Sequence, residues 1–498
     1  MASHGKGLKR RAFSLGAANA INCALQLLLP VVLVRYLDRE VFGEYRLLWL
    51  AVGTIMAVAP LDVPDSLYYF LPRSEQMLKR LYVNQTLLFL AAAGLVSGWA
   101  VSPWNPWLPA QMRELTTHGA IVPAFVLLWV VAVLLDLLPT IEERIAWQAK
   151  TMIGLAALRA LALSIAAMST RQLGPVLLVM LGFVVFKVAV LLGYVAVHHG
   201  LRAPLLRWCA FVDQLRYAVP FGFATALYGL RAQADLWVVA GLFPRPMFAS
   251  FSIAVVLVPL VSVFRQSVNQ AFLPRMSKLQ ATGNVAGMLE LNNQANVIVG
   301  TIVYPLLAWV FAFAEEIVAV VYTETYVSAA PVMRVYVLGL APLVVEVASI
   351  MMLLRQGTFT AWLNLGTLIV SVALAWFGAH YFGLAGAALG TVIVSYGDLI
   401  VTLRRIGRCL AIPFRRLQDW RTLSLLLLFA LLAAAIARGV VDHYFAASGP
   451  FVRLAFGAGL VAVAYGATWV RLAVSRGWGL PRSDEPSLGS DPRIARPH

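Results

Sequence analysis

The sequence predicts an all-α, polytopic membrane protein, and three observations carry that prediction. The 498 residues are 61% hydrophobic and 12% charged, with a mean hydropathy of +0.80, against the roughly one-half apolar usage of soluble domains. Apolar runs of about 20 residues, the length a helix needs to cross a hydrocarbon core of ~30 Å, follow one another along the whole chain. The runs are continuous rather than alternating, so helices and not barrel strands satisfy the backbone inside lipid.

Taken in order, fourteen spans fall at 13–35, 44–63, 82–102, 119–139, 154–170, 175–197, 217–242, 249–271, 294–313, 331–354, 362–382, 384–403, 422–441 and 451–472. No small-residue cleavage site follows the first run, which therefore reads as a helix rather than a signal peptide. The expected organisation is a short N-terminal segment (1–12), a six-helix lobe (13–197), a connector (198–216), a second six-helix lobe (217–403), a basic connector (404–421), two extra helices (422–472) and a polar, Pro- and Gly-rich tail (473–498) expected to be disordered. The two connectors, "HHGLRAPLLRWCAFVDQLRY" and "RRIGRCLAIPFRRLQDWR", read as amphipathic helices lying on the inner leaflet. No loop is long enough for a soluble domain.

The net charge of +16 follows the topology instead of marking a nucleic-acid surface. With the N-terminus in the cytoplasm, the inner segments hold 26 Lys and Arg and the outer segments 9, the bias expected when both termini are cytoplasmic. The partners of this charge are anionic lipid head groups. Cys23, Cys209 and Cys409 stand far apart and suggest neither a disulfide nor a metal site. The seven histidines form no HExxH, and no phosphate-binding loop or GxSxG elbow is present, so the chain reads as a non-enzyme without cofactor or metal.

Two stretches recur. Phe70-Leu71-Pro72-Arg73 returns as Phe272-Leu273-Pro274-Arg275 (272 − 70 = 202), and Leu37 to Tyr45 aligns with Phe243 to Phe251 (243 − 37 = 206), matching Arg39 with Arg245 and Phe42 with Phe248. The offsets differ by about one helical turn. Six spans separate the copies, so the two units point the same way, as in parallel transporter repeats that enclose a central cavity. Proline is expected to end the second helix of each unit, with arginine holding that end in the cytoplasm.

A charge near the bilayer centre costs about 3 kcal/mol or more, which makes each one a functional candidate. In span 7, Arg231 and Asp235 are four residues apart and would pair on one face. Arg231 would then contact an anion from a water-filled cavity, and Asp235 would hold it or titrate; a self-neutralised structural pair is the alternative. Asn19, Asn22 and Gln26 form one stripe of span 1, either bonding a neighbouring helix or lining a hydrophilic path. Arg265, Gln266 and Asn269 lie late in span 8, Lys187 lies near the middle of span 6, and Asp62 closes span 2. Spans 1, 2, 7 and 8 are matched members of the two units, so their polar stripes would face each other. Their cations suit a phosphate-bearing substrate, which arginine binds bidentately. Asp136 and Glu346 are further carboxylates able to couple transport to protons. Arg35, Arg159, Arg438 and Asp398 read as interface residues within snorkelling reach, and Gly94 with Gly98 and Gly386 with Gly390 as helix-packing pairs.

These landmarks give the chain its resemblance to a known family. "LVRYLDREVFGEYRLLWLAVGTI", "RAQADLWVVAGLF" with Asp235, "FLPRMSKLQATGNVAGMLELNNQA", "EEIVAVVYTETYVSAAPVMRVYVLG" and "FGLAGAALGTVI" occur in the order and places in which similar segments occur in the polysaccharide (O-antigen type) flippases of the multidrug/oligosaccharidyl-lipid/polysaccharide exporter superfamily. The resemblance covers about residues 8 to 405. "TETY", "PRPMFASF" and "PLDVPDS" depart from the family pattern. The resemblance implies a monomeric protein of the bacterial inner membrane that flips an undecaprenyl-pyrophosphate-linked oligosaccharide by alternating access, in concert with polysaccharide polymerase machinery. A cation-coupled multidrug exporter of the same superfamily and a membrane-embedded polysaccharide polymerase or ligase are the alternatives.

Overall fold

The structure, a computed structural model, describes residues 21–22, 24–200 and 204–475. Asn19, the N-terminal segment and the tail beyond Ser475 lie outside the described residues, and residues 473–475, expected to be disordered, are the end of the last helix. The first half comprises α1 (Ala24–Tyr36), α2 (Arg39–Val58), α3 (Val63–Phe70), α4 (Gln76–Ala100), α5 (Ile121–Ala132), α6 (Leu134–Ile141), α7 (Ile145–Thr170) and α8 (Leu173–His198). The second comprises α9 (Trp208–Ala232), α10 (Ala234–Leu242), α11 (Arg245–Ala254), α12 (Leu257–Ala281), α13 (Val285–Ala312), α14 (Ala314–Val321), α15 (Ala330–Leu340), α16 (Ala348–Leu353) and α17 (Gly357–Leu410). A short α18 (Phe414–Leu417) leads to α19 (Trp420–Tyr444) and α20 (Pro450–Ser475). Ten helices among the described residues are long and apolar enough to cross a membrane. This is a multi-pass, all-α membrane protein.

Small residues set the helix spacing. A Cβ on Gly94 or Gly98 would lie 2.7 Å from the Leu127 carbonyl and 2.9 Å from that of Pro123, so these two glycines let α4 approach α5 as the sequence suggests. At 54 residues α17 is too long for one crossing, and it reverses at Gly383 (φ 63°, ψ −148°), a conformation open essentially to glycine alone. Beyond that turn Gly390 packs on the Ala375 backbone, which closes the hairpin anticipated between spans 11 and 12.

Three expectations need correction. Pro72 ends its helix as foreseen: Leu71–Arg73 is a 3-10 turn, and the Ser74 hydroxyl caps the Phe70 carbonyl at 2.7 Å. Pro274, however, sits inside α12, which continues to Ala281. The residue after the motif accounts for the difference, because Met276 stands where Ser74 stood and is fully buried against Met288, Leu289 and Ile350, which holds the helix in register past the proline. Neither connector lies apart as an amphipathic helix either. The first runs straight into α9 at Trp208, and α17 absorbs the second as far as Leu410.

The extra helices dock through charge. Arg438 of α19 and Arg453 of α20 converge on buried Glu316 of α14 at 2.7 and 3.1 Å, and both also bind Asp442. On the face rich in Lys and Arg, called here the basic face, a second cluster clasps the turn after α6 to the end of α8. Glu142 accepts from the Tyr194 hydroxyl and lies 2.5 Å from His199 Nε2. Burial pushes its carboxyl up, but the hydrogen bonds from His199 and Tyr194 and the charges of His199 and Arg144 outweigh it, leaving Glu142 below the usual glutamate range. A depressed carboxylate contributes stability above its unfolded pKa and loses it as pH falls through the folded value. Glu142→Gln should therefore melt below the wild type at neutral pH by an amount equivalent to about 1–3 kcal/mol, and the gap should close in acid; thermal unfolding of the detergent-solubilised pair at several pH values checks this.

Candidate transport site at three broken helices

Asp62, Asp235 and Glu346, three of the carboxylates singled out from sequence as coupling or ion-pair residues, each lie where a helix is interrupted. Between α2 and α3 the chain passes through left-handed Leu61 and Asp62 (φ 46° and 53°). Pro60 cannot continue a helix through this turn, and the Asp62 carboxylate accepts from Thr225 of α9 at 2.9 Å. Between α9 and α10 the break is Gln233 (φ −117°). The buried Asp235 beyond it accepts from the Leu236 amide and the Thr391 hydroxyl, both at 2.7 Å, and from the Tyr336 hydroxyl. After α15, a 3-10 turn over Ala341–Val344 precedes an extended residue, and helix resumes only at Ala348. Here α13 supplies the missing backbone partners: Asn296 accepts from the Glu346 amide at 3.0 Å, and Asn292 donates to the Glu346 carbonyl at 3.2 Å. The Glu346 carboxylate accepts from the Ser349 amide and pairs with Arg265.

The break at Gln233 overturns the expected Arg231 to Asp235 pair, because the helical register that would stack them is lost there. Arg231 instead pairs with Asp398 at 2.9 Å, donates to Thr367 at 3.1 Å and lies over the Tyr228 ring. Asp398, read from sequence as an interface residue, is thus an intramembrane partner that helical spacing could not reveal, since it lies 167 positions away. Lys187 is likewise taken up, at 2.7 Å from Asp136 and above the Trp129 ring. Asn269 donates to Ser349 at 2.7 Å, and Gln266 is exposed. Asn22, ahead of α1, is half-buried, and Gln26 on α1 is exposed. The polar stripes do not simply face one another: Arg231, Arg265 and Lys187 each bind a carboxylate of their own half, and only Asp62 reaches across.

What crosses between the halves is a line of hydrogen bonds along α2 and α3. Arg46 donates to Ser252 at 3.0 and 3.1 Å, Thr54 donates to Gln233 at 3.0 Å, and Trp237 donates to Thr54 at 2.8 Å. Toward the basic face, fully buried Gln214 donates to Ser66 and Thr86 at 2.9 Å and accepts from Gln85 at 2.7 Å. Gly222 lets the Leu61 backbone settle on α9, where any Cβ would overlap it. On the opposite face, Arg245 reaches Glu114 at 2.8 Å and the Gln111 carbonyl, while Arg39 lies 5.3 Å over Tyr326 and Arg35 donates to the Val320 carbonyl at 2.9 Å. Arg39 and Arg245, matched in the sequence, each open a helix and lean across to the other half. The face opposite the basic one is closed.

A family model described as polysaccharide biosynthesis protein matches residues 142–331. No curated protein matches the chain in sequence. Among solved structures, the lipid II flippase MurJ in an inward closed conformation is similar over 92% of this chain and 99% of its own, with a TM-score of 0.64 at 13% identity. An inward-facing multidrug resistance MATE family transporter of the MOP superfamily is similar over 78% of this chain and 96% of its own, with a TM-score of 0.63 at 14% identity. The chain has the MOP-superfamily fold. An outward-facing MATE family transporter is similar over 81% of this chain and 97% of its own, with a TM-score of 0.53 at 13% identity. The polysaccharide-exporter resemblance read from the sequence stands on both the family model and the MOP fold.

The pairing of Arg231 makes a specific prediction. Arg231→Ala strands Asp398 in the membrane and should cost about 3 kcal/mol, whereas Arg231→Met combined with Asp398→Leu should recover most of that loss. Thermal unfolding of the three proteins in detergent measures the difference, and equal losses in the single and double variants would refute the pair.

Proposed function

We propose that this protein flips an undecaprenyl-pyrophosphate-linked oligosaccharide across the bacterial inner membrane, with the basic face and both termini in the cytoplasm. The observation that carries the reading is the Arg265 to Glu346 pair, an arginine held at a broken helix by a carboxylate. The fold shared with a lipid II flippase and the polysaccharide biosynthesis family match support it. A diphosphate presents the planar oxygen pair that a guanidinium binds bidentately, so the head group can take the place of Glu346 on Arg265. Glu346 then keeps its bond from the Ser349 amide. Moving about two negative charges outward is favoured by roughly 4–5 kcal/mol per 100 mV of membrane potential, inside negative.

Asp235 has the complementary chemistry. Hydroxyl and amide donors surround it, and no cationic side chain pairs with it among the described residues, so it can take up a proton or metal cation without breaking an ion pair. That suits the coupling or return step. Gln266 and Asn269, one and four residues after Arg265, extend the head-group site along α12. Arg231 and Lys187 then act through their own pairs rather than as first contacts. The multidrug-exporter reading shares the fold, but the polysaccharide family match favours a sugar-bearing lipid.

Arg265→Ala should abolish surface polysaccharide and cause the lipid-linked repeat unit to accumulate on the inner leaflet, with membrane levels of the protein unchanged. Glu346→Gln, which removes the competitor, should tighten binding of undecaprenyl pyrophosphate by about tenfold, equivalent to ~1.4 kcal/mol. Normal polysaccharide in an Arg265→Ala strain would end this proposal.

A further inference from the structure

We infer that adjoining faces of α3 and α9, at the mouth of the basic face, form a carbohydrate-stacking platform that holds the sugar head group. The inference rests on the flippase reading and adds the part of the site that recognises sugar as distinct from phosphate.

The platform is built from two short stripes. On α3, Asp65, Tyr68 and Tyr69 are exposed and follow Asp62. On α9, Tyr217, Phe221 and Tyr228 are exposed by 38%, 60% and 54%. The Asp62 to Thr225 bond locks the helices together so that the stripes meet. Tyr69 stacks on Tyr217 with centroids 4.7 Å apart and planes 23° apart, and Tyr217 continues to Phe221 at 5.6 Å. Large rings left open to this degree, beside a bond that fixes their helices, make a preformed surface.

Two physical arguments give this face its direction and its ligand. The other flank of α9 exposes Val219 and Phe223, which suits lipid. The platform flank carries Asp62 and the exposed carboxylate of Asp65, which lipid would reject, so it borders aqueous space. A pyranose ring presents a face of C–H groups and a rim of hydroxyls. Aromatic rings cover the first, and carboxylates accept from the second. An organic cation would also seek rings and carboxylates, but the Arg73 guanidinium, 4.1 Å over Tyr69 at one end of the stack, already places a positive charge there and disfavours a second. Because Tyr69 and Tyr217 belong to different halves, a sugar lying across them is held only while the halves keep this arrangement, and rocking would release it.

Native mass spectrometry of the full-length protein in nanodiscs tests the inference, using undecaprenyl pyrophosphate, the same lipid carrying an N-acetylglucosamine disaccharide, and tetraphenylphosphonium. The wild type should prefer the sugar-bearing lipid to the bare one. Tyr217→Leu and Tyr69→Leu should each cut that preference by roughly three- to tenfold, with binding of the bare lipid unchanged, and Tyr217→Phe, which keeps the ring, should retain it. Equal weakening of both lipids in Tyr217→Leu, or no preference in the wild type, would overturn the platform. Loss of tetraphenylphosphonium binding with the sugar preference intact would overturn it in favour of an organic-cation surface. If the wild type binds neither lipid, the flippase reading fails along with it.

Discussion

Every backbone N–H and C=O inside a membrane needs a partner, and the candidate site is arranged around three of the places among the described residues where helices leave some without one. An unsatisfied group in hydrocarbon costs several kcal/mol, so a break survives only where side chains stand in. Asn292 and Asn296 do this at Glu346, and the Asp235 carboxylate does it for the Leu236 amide. At Asp62, Gly222 removes a Cβ so that the irregular turn can press against α9. The candidate site follows from the same requirement. Polar side chains must gather at a break, and the break frees a carboxylate from the regular helix surface to meet an arginine, a hydroxyl or the other half of the molecule.

Three interior cations are balanced within their own half, Lys187 by Asp136, Arg231 by Asp398 and Arg265 by Glu346. Most contacts between the halves are made by neutral side chains at mid-depth and by arginines reaching carbonyls and rings on the opposite face, and the ion pair there, Arg245 with Glu114, is half exposed. Neutral hydrogen bonds are individually worth about 1 kcal/mol. A set of them holds one arrangement yet exchanges for another at modest cost, as the proposed rocking would require. Buried ion pairs between the halves would have made the same movement far more costly.

Much of this was legible in the sequence. Continuous apolar runs gave the helices, glycine spacing marked a packing face on α4 whose partner α5 the structure supplies, and the gap before "LAGAALG" gave the α17 hairpin. The three carboxylates were identified because charge in a span is anomalous whatever its surroundings. Their partners were not, because Asp398 lies 167 residues from Arg231 and Tyr336 lies 101 from Asp235; helical spacing carries no information at that range. The breaks were unequally visible. Pro60 and Pro64 flank Asp62, and a closer reading of "PLDVPDS" would have interrupted span 2. Nothing near Gln233 signals a break, since it is imposed by tertiary bonds to Thr54 and by the Asp235 side chain.

The repeated tetrapeptide shows how one local change divides the roles of two similar segments. Ser74 caps the first copy, ends the helix and leaves Arg73 free to fold back over Tyr69. Met276 buries itself after the second copy and carries α12 onward, so Arg275 remains on an exposed helical surface. A proline near a helix end forfeits one hydrogen bond whose carbonyl water or head groups can satisfy, so the decision falls to its neighbour, and a buried methionine contributes about 1.5–3 kcal/mol toward continuing the helix. One half thereby gains a turn that folds an arginine back over Tyr69, and the other gains a helix that runs on to Ala281 with Arg275 on its exposed surface.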